Sequence, residues 1–312
     1  MDMNSTDVYD YQDPVSLLAA FLILSNGVFG VACNYLVIKT FIKYKKERNS
    51  FNLICFFRAY TNLHILITLF LAIFLPNTIL GYSIYNPAIE STIISVGITL
   101  YLVNEYETIL IALTRFFALY FPVIYSKYFG MKPTFTVVMM LNIYQIANII
   151  RELITYLPIQ CYLYYDVYFL SWSPTFEDRC EVLSSNSIVY CFGGCFIGVC
   201  FFNILNSIKM FLFYRNLYTV KSESRAKTRK NVRLFVQTCF QDSLFVLDVL
   251  FTFKLASLST SRLWTFLSGT VIWQCLHSFD GFIMMMFNEK IRLFKKKEEV
   301  TIRVVSNTTT TL

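Results

Sequence analysis

Charged residues are scarce in this chain of 312 residues. Aspartate, glutamate, lysine and arginine together make up 15% of it, whereas 56% of the residues are hydrophobic. A soluble chain carries about 25% charged residues. Apolar runs of about 20 residues recur along the whole length, and about 20 residues are needed to cross a ~30 Å hydrocarbon core. The composition leaves little room for a soluble domain and predicts an all-α membrane protein with several spans.

Motifs for metal binding and catalysis are also missing. The two histidines, His64 and His277, lie in separate apolar runs without a carboxylate or cysteine at ligand spacing. The sequence has no CxxC pair and no HExxH, GxSxG, GxGD or Walker pattern. We therefore expect no metal site, no cofactor and no enzyme activity.

The formal net charge of +7 would suit a nucleic-acid partner, but the positions of the basic residues argue against one. Hydropathy and turn residues predict seven spans, at 17–41, 52–76, 89–115, 134–157, 186–214, 232–257 and 265–287. Basic residues cluster after spans one, three, five and seven, which is the positive-inside pattern of a membrane protein. We expect a seven-transmembrane-helix bundle with its N-terminus outside and its C-terminus inside.

These spans divide the chain into an extracellular tail (1–16), a membrane bundle (17–294) and a cytoplasmic tail (298–312). Asn4 begins a glycosylation sequon, Asn4-Ser5-Thr6, in the tail that we expect outside. Residues 288–297 have the basic, amphipathic pattern of a short helix that lies on the inner leaflet.

The most informative stretch runs from Glu105 to Tyr125. Arg115 is followed there by Phe116, Leu119, Pro122 and Tyr125. An arginine at the inner mouth of a membrane helix is most often an anchor that reaches the interface. The spacing also resembles rhodopsin-like G-protein-coupled receptors, which carry an arginine, an aromatic residue, a proline and a tyrosine at these positions. The resemblance implies that Arg115, Pro122 and Tyr125 serve coupling to a G protein.

Two further motifs resemble the same superfamily. Asn34-Tyr35-Leu36-Val37 has its span-one asparagine and valine, although an amide that packs helices is an equally good reading. Asp280 stands at the polar position of the span-seven motif, and Gly281 replaces the usual proline. The resemblance implies that Asn34 and Asp280 belong to the receptor's switch.

Two departures from the superfamily concern how the receptor would be restrained. Thr114 stands where an acidic residue is usual, so an adjacent ion pair cannot hold Arg115. Met284 replaces the tyrosine of span seven, so switching through that tyrosine is not expected.

The order and spacing of these motifs resemble nematode serpentine receptors of class x, a family of chemosensory receptors. The resemblance covers nearly all of residues 17–294 and is carried by TRFFALYFP (114–122), a C-x18-C loop, FVQTCFQDSLFVLD (235–248) and HSFDGFIMMMFN (277–288). It implies a small-molecule ligand, a heterotrimeric G protein and the lipid bilayer as partners. It also implies the plasma membrane as location, with sensory cilia and a role in olfaction as further expectations. A receptor oligomer stays open.

Cys161 and Cys180 are the two cysteines of that loop, which the orientation places outside, in an oxidising compartment. Residues 85–97 contain no cysteine, so the superfamily's usual bridge from span three to the loop cannot form. We predict a Cys161–Cys180 disulfide that closes a lid over the outer cavity, with free thiols as the alternative.

Charged residues inside spans are costly and are usually paired or functional. We expect Glu105 or Glu107 to pair with Arg151, either for structure or for function, with a protonated glutamate in apolar surroundings as the alternative. For the ligand site we select four residues of the outer half of the bundle, with snorkelling as the competing reading for Lys254: Tyr101, Asn104, Glu152 and Lys254.

Two functions fit a chain of this kind. The first is a G-protein-coupled chemosensory receptor that binds a small molecule in its outer helix cavity. The second is a membrane transporter or ligand-gated channel that uses the buried charges as a path. Secondary transporters usually contain an internal repeat, and the two halves of this chain show none. This favours the receptor.

Overall fold

The computed structural model describes residues 13–45, 48–175, 180, 186–215 and 222–288. Within these ranges the chain forms eight helices and one β-hairpin. In chain order they are α1 (Pro14–Lys43), α2 (Ser50–Leu80), α3 (Pro87–Tyr120), α4 (Pro122–Tyr128), α5 (Met131–Tyr156), β1 (Leu163–Asp166), β2 (Ser171–Pro174), α6 (Asn186–Arg215), α7 (222–258) and α8 (262–287). The predictions for Asn4, for the helix at 288–297 and for the tail 298–312 lie outside the described residues, except that Asn288 directly follows α8.

The seven long helices correspond to the seven predicted spans, which confirms the seven-transmembrane-helix bundle. Five of them, α1, α2, α3, α5 and α6, are apolar enough over 18 residues to cross a membrane by hydropathy alone. The other two carry more polar residues, since α7 begins in the basic segment after α6 and α8 contains Gln274, His277 and Asp280. The short helix α4 and the hairpin were not predicted.

Side-chain caps and turn residues set several helix limits. The Asp13 carboxylate accepts the Ser16 backbone N–H at 2.6 Å and caps α1, with Pro14 at its first position. Asn86 likewise accepts the Ala88 N–H at 3.0 Å ahead of Pro87, as the Asn-Pro pair predicts. Gly81 ends α2 in the left-handed conformation, at φ 75°, which glycine adopts without a steric penalty.

The β-hairpin closes one end of the bundle, which we call the hairpin end. The Cys161–Cys180 disulfide is present and ties the loop after the hairpin to the segment before it. Tyr165 of β1 is buried: its hydroxyl lies 2.7 Å from Thr78 of α2, its N–H donates to Glu90 of α3 at 2.9 Å, and its ring stacks on Phe74. The hairpin therefore forms a packed lid over the helices.

Arg262, at the start of α8, fastens this lid. Its guanidinium pairs with Asp13 at the start of α1, donates to the Ser16 hydroxyl at 2.8 Å and to the carbonyls of Val167 and Tyr168 in the hairpin turn. One side chain thus joins two helix ends to the lid. We call this contact the latch.

The interior consists of two apolar clusters with a polar layer between them. The cluster toward the hairpin end includes Ile23, Phe70, Phe74 and Trp273, and the cluster toward the opposite end, which we call the far end, includes Val37, Ile54 and Met284. Between them, Arg58 of α2 donates through Nε to the Asp280 carboxylate of α8 at 2.7 Å, and their side chains are only 4% and 1% exposed.

We expect Asp280→Asn to lower the free energy of unfolding by about 3–5 kcal/mol, because it leaves the Arg58 guanidinium buried without an anion. The double variant Arg58→Met/Asp280→Asn removes the charge as well and should recover a large part of that loss. Unfolding by dodecyl sulfate titration in mixed micelles measures both changes.

Arg151→Met is the matched control, because Arg151 is exposed on α5 and makes no ion pair within the described residues. A loss of stability in Arg151→Met as large as that in Asp280→Asn would contradict a special contribution of the Arg58–Asp280 pair to stability.

The latch should make stability depend on pH. Partial burial acts to raise the pKa of the Asp13 carboxyl, but the Ser16 hydrogen bond and the Arg262 charge outweigh it and hold that pKa below its ordinary value of 3.8. A lowered carboxyl pKa stabilises the fold above the ordinary pKa, and the gain disappears as pH falls through the folded-state pKa. Wild type should therefore unfold a few degrees above Asp13→Asn at neutral pH, in line with an exposed pair of about 1 kcal/mol or less. Thermal unfolding in lipid nanodiscs should show the two proteins converging in acid, and a constant gap at all pH values would contradict the role of the Asp13 charge.

Candidate functional site

A network of buried polar side chains surrounds the Arg58–Asp280 pair, and we call it the central polar cluster. Its members are Asn34, Arg58, Asn62, Asn104, Thr108, Gln241, His277 and Asp280. They come from five helices, α1, α2, α3, α7 and α8. In a bundle that crosses a bilayer, polar groups at this depth must find partners inside the protein.

Asp280 is the main acceptor of the cluster. Its two carboxylate oxygens accept from Arg58 Nε, from Asn62 Nδ2 and from Gln241 Nε2, each at 2.7 Å. Arg58 also donates through Nη1 to the Thr108 hydroxyl of α3. The anion predicted as a switch residue therefore holds α2 and α7 against α8, and Arg58 ties α3 to the same point.

Asn62 of α2 links this carboxylate to the hairpin side of the cluster. Its Oδ1 accepts from Asn104 Nδ2 at 2.7 Å and lies 2.8 Å from His277 Nδ1. Asn104, predicted as a ligand residue, is thus a buried structural partner of Asn62 in this conformation.

Asn34 of α1 packs directly on Gly281. Its Nδ2 donates to the carbonyls of Gly30 at 2.9 Å and of His277 at 3.1 Å. A Cβ added at Gly281 would collide with the Asn34 amide. Glycine in place of the superfamily's proline is therefore explained by the close approach of α1 and α8, and the two predicted switch residues, Asn34 and Asp280, belong to one cluster.

Arg115 lies at the far end of α3, where it contacts α7. Its guanidinium donates to the Thr238 hydroxyl and to the backbone carbonyls of Leu234 and Phe235, and it lies 5.1 Å from the ring centre of Phe51. We call these contacts the arginine clamp. Its acceptors are neutral, and Thr114 beside Arg115 donates to the Leu110 carbonyl of its own helix instead.

Two more contacts fix α6 against the clamp. Asn203 of α6 donates to the buried Asp242 of α7 at 2.7 Å, and Asn206 donates to the Ala112 carbonyl of α3 at 3.1 Å. The far ends of α3, α6 and α7 therefore form one hydrogen-bonded unit around Arg115.

Pro122 and Tyr125 lie in α4, beyond the end of α3. Pro122 occupies the first position of α4, and the Tyr125 ring stacks on Phe129 with ring centres 5.6 Å apart. Among the described contacts none joins either residue to Arg115. They shape the connection at the far end rather than the clamp.

The four predicted ligand residues do not converge. Tyr101 is buried beneath the hairpin, where its hydroxyl donates to Asp248 of α7. Glu152 is half-buried on α5, and Lys254 is exposed near the end of α7. Tyr101 and Asn104 face the bundle interior, whereas Glu152 and Lys254 take no part in the central polar cluster.

The expected ion pair between Glu105 or Glu107 and Arg151 is wrong. Both glutamates are buried on α3, whereas Arg151 is exposed on α5. At 100° per residue, Arg151 lies about 120° around α5 from its buried Gln145, and so it turns away from the bundle. Both oxygens of Glu107 and Oε2 of Glu105 have no hydrogen-bond partner within the described residues.

Arg58, Thr238 and Gln241 are functional candidates that sequence reasoning missed. Arg58 lies seven residues into the predicted span 52–76, and an arginine inside a span indicates a buried partner. That signal was available. No signal could have identified the clamp, because two of its acceptors are backbone carbonyls.

Comparison with known proteins places this geometry in a family. The profile of the family described as serpentine type 7TM GPCR chemoreceptor Srx matches residues 24–288. Among solved structures, the crystal structure of squid rhodopsin is similar with a TM-score of 0.72 and 14% sequence identity, over 91% of this chain and 80% of that chain. No curated protein matches the sequence. At that identity the rhodopsin likeness shows the fold, and the profile shows the family. The chain belongs to the Srx family of serpentine seven-transmembrane G-protein-coupled chemoreceptors.

Proposed function

We propose that this protein is a chemosensory receptor that binds a small molecule at the hairpin end and signals to a heterotrimeric G protein at the far end. The observation that carries the proposal is the arginine clamp. A charged side chain with neutral acceptors on a second helix can exchange those acceptors for a protein partner when the two helices separate.

The proposed orientation places the hairpin end outside and the far end inside. The basic residues of the connections after α1 and α3 lie at the far end: Lys45, Arg48 and Lys127. The disulfide lies at the hairpin end, and because disulfides persist in oxidising compartments, it supports an outer location for that end. Asn4 would then carry its glycan outside, and residues 288–297 would lie along the inner leaflet.

The clamp supplies a resting restraint that Thr114 cannot supply. A hydrogen bond from a charged donor contributes about 1.5–3 kcal/mol, and the clamp has three, to Thr238, Leu234 and Phe235. Solvent exposure lowers that sum, because Arg115 is only half-buried. The restraint is therefore strong enough to favour one state and weak enough for a ligand to reverse.

The central polar cluster would connect the two ends. Thr238 of the clamp and Gln241 of the cluster are three residues apart on α7, on neighbouring positions of one helix face. Rotation or outward movement of α7 would break both contacts together. A ligand acts by its different affinity for the two arrangements, without any reaction on the ligand.

The family supports a proposal for where the receptor acts. We propose the plasma membrane as its location, with the cilia of sensory neurons as the site of odour detection. Pro122 and Tyr125, on the connection beside the clamp, would complete the G-protein contact surface. Association with a second receptor copy is compatible with this arrangement.

Two variants of the clamp test the proposal without a known ligand. Thr238→Val removes one acceptor of Arg115 and should raise basal nucleotide exchange about five- to tenfold on a responsive Gα subunit, since one hydrogen bond shifts a two-state equilibrium by that factor. Arg115→Ala should abolish exchange at equal surface expression, because the coupling residue itself is lost. Reconstitution in nanodiscs with a panel of Gα subunits gives both readouts.

Arg151→Ala serves as the control, since that arginine is exposed on α5 and distant from the clamp. Ion or solute flux that needs no G protein, together with exchange that neither clamp variant alters, would favour the transporter or channel.

A further inference from the structure

Two aromatic residues of α8 present unused hydrogen-bonding atoms to the interior beneath the lid. Trp273 Nε1–H and His277 Nε2 are both buried, and neither has a partner among the described residues. The residues are four apart and so lie on consecutive turns of one helix face, with ring centres 6.2 Å apart. Buried polar atoms without partners are rare in folded proteins and call for an explanation.

The tautomer of His277 follows from its neighbours. Asn62 Nδ2 donates to Asp280, which fixes the orientation of the Asn62 amide and makes its Oδ1 an acceptor. His277 Nδ1 lies 2.8 Å from that Oδ1 and must therefore carry the proton. In the neutral ring the other nitrogen, Nε2, is then an acceptor. The pair thus offers one donor, from Trp273, and one acceptor, from His277.

Aromatic rings enclose these two atoms. Tyr101 of α3 meets the Trp273 and His277 rings edge-on, at 6.1 and 5.9 Å, and Phe70 of α2 meets Trp273 at 5.4 Å. Trp172 of β2 covers Trp273 from the hairpin, at 6.5 Å. These walls are apolar and bulky, and they favour a small ring or hydrocarbon skeleton.

Residual exposure is found on two of the rings that enclose this place. Trp273 and Tyr101 keep 7% and 8% of their surface accessible, whereas His277, Phe70 and Phe74 keep 0%. The two unpartnered atoms are themselves closed to solvent, so a ligand must displace side chains of this aromatic cluster to reach them.

We propose that Trp273 and His277 form a subsite for one hydroxyl group of a small, uncharged, apolar ligand, such as an aromatic alcohol. A hydroxyl group can accept from the indole N–H and donate to the imidazole nitrogen at the same time. A carbonyl satisfies only Trp273, and an ammonium group cannot accept a hydrogen bond. A carboxylate would bring negative charge beside Asp248, which Tyr101 holds at this level of the bundle.

The inference names the ligand class of the proposed receptor, and in that respect it depends on the proposed function. Its test uses binding alone, without a G protein. If the receptor fails to signal, the binding test can therefore still be interpreted. If the ligand fails to bind, the proposed role of the arginine clamp is unaffected.

The experiment follows the indole N–H signals of full-length receptor labelled with ¹⁵N-tryptophan in lipid nanodiscs. The chain has three tryptophans, and single Trp→Phe variants assign their signals. Trp264 is the internal control, because its Nε1 already donates to the Leu255 carbonyl at 2.8 Å. The probes share one skeleton: benzyl alcohol, benzaldehyde, toluene and benzylammonium.

Benzyl alcohol should move the Trp273 signal and leave the Trp264 signal in place. It should bind about a hundredfold more tightly than toluene, with benzaldehyde about tenfold above toluene and benzylammonium weakest, since each hydrogen bond is worth about a factor of ten. His277→Asn keeps a side-chain N–H for Asn62 and removes the Nε2 acceptor. It should therefore lower the affinity for benzyl alcohol to that for benzaldehyde and leave benzaldehyde binding unchanged, which also shows that the variant is folded.

Equal affinity for benzyl alcohol and toluene would overturn the subsite, and so would a Trp273 signal that no probe moves up to its solubility. A Trp273 signal that exchanges with solvent but ignores the alcohol would show that water occupies the place instead. If His277→Asn does not fold, Trp273→Phe replaces it: the preference of the site for benzyl alcohol over toluene must then fall by about tenfold, as judged by competition with a spin-labelled benzyl alcohol.

Discussion

The buried ion pair between Arg58 and Asp280 is the contact on which the rest of the bundle depends. A guanidinium at this depth in a membrane protein needs an anion and further acceptors, and the protein meets both needs from neighbouring helices. The Asp280 carboxylate that pairs with Arg58 has further acceptor positions, and these require hydrogen-bond donors on the neighbouring helices. Asn62 and Gln241 are those donors. These residues are therefore not independent choices, because each completes the coordination of one buried charge.

The clamp at Arg115 holds α3 against α7 through hydrogen bonds instead of a buried ion pair. Its acceptors are neutral, and two of them belong to the backbone of α7, so no acidic side chain is needed beside the arginine. This explains how a receptor with Thr114 at that position can still hold Arg115 against α7. Because none of these direct acceptors carries a charge, the guanidinium can also take a new acceptor when α7 moves.

The sequence predicted the seven helices well, because hydropathy over 20 residues and turn pairs such as Asn86-Pro87 depend on local chemistry. It also predicted the Cys161–Cys180 bridge, from the position of both cysteines in one outer loop. Motif spacing selected Asn34 and Asp280, which lie in the same polar cluster, and their role in switching stays a prediction. It failed on contacts between helices. The pairing of Glu105 or Glu107 with Arg151 was plausible by depth, but depth does not determine which way each helix is rotated about its axis. The hairpin was missed for a related reason: its strands are stabilised by Thr78 and Glu90, which lie far away in the sequence.

Hydrogen bonds run without a break from the aromatic subsite to the segment of α7 that holds the clamp. His277 binds Asn62, and Asn62 donates to Asp280, which also accepts from Gln241. Gln241 accepts from Gln237 at 3.4 Å, and Gln237 precedes Thr238 of the clamp. A group bound at His277 Nε2 changes the strength of the bond that the same ring donates through Nδ1, because the two nitrogens share one π system. Its effect reaches Asn62, whose amide is shared with the carboxylate that holds α7. The Arg58–Asp280 pair thus affects more than stability. It makes the position of α7 depend on the strength of the hydrogen bonds that Arg58, Asn62 and Gln241 donate to Asp280.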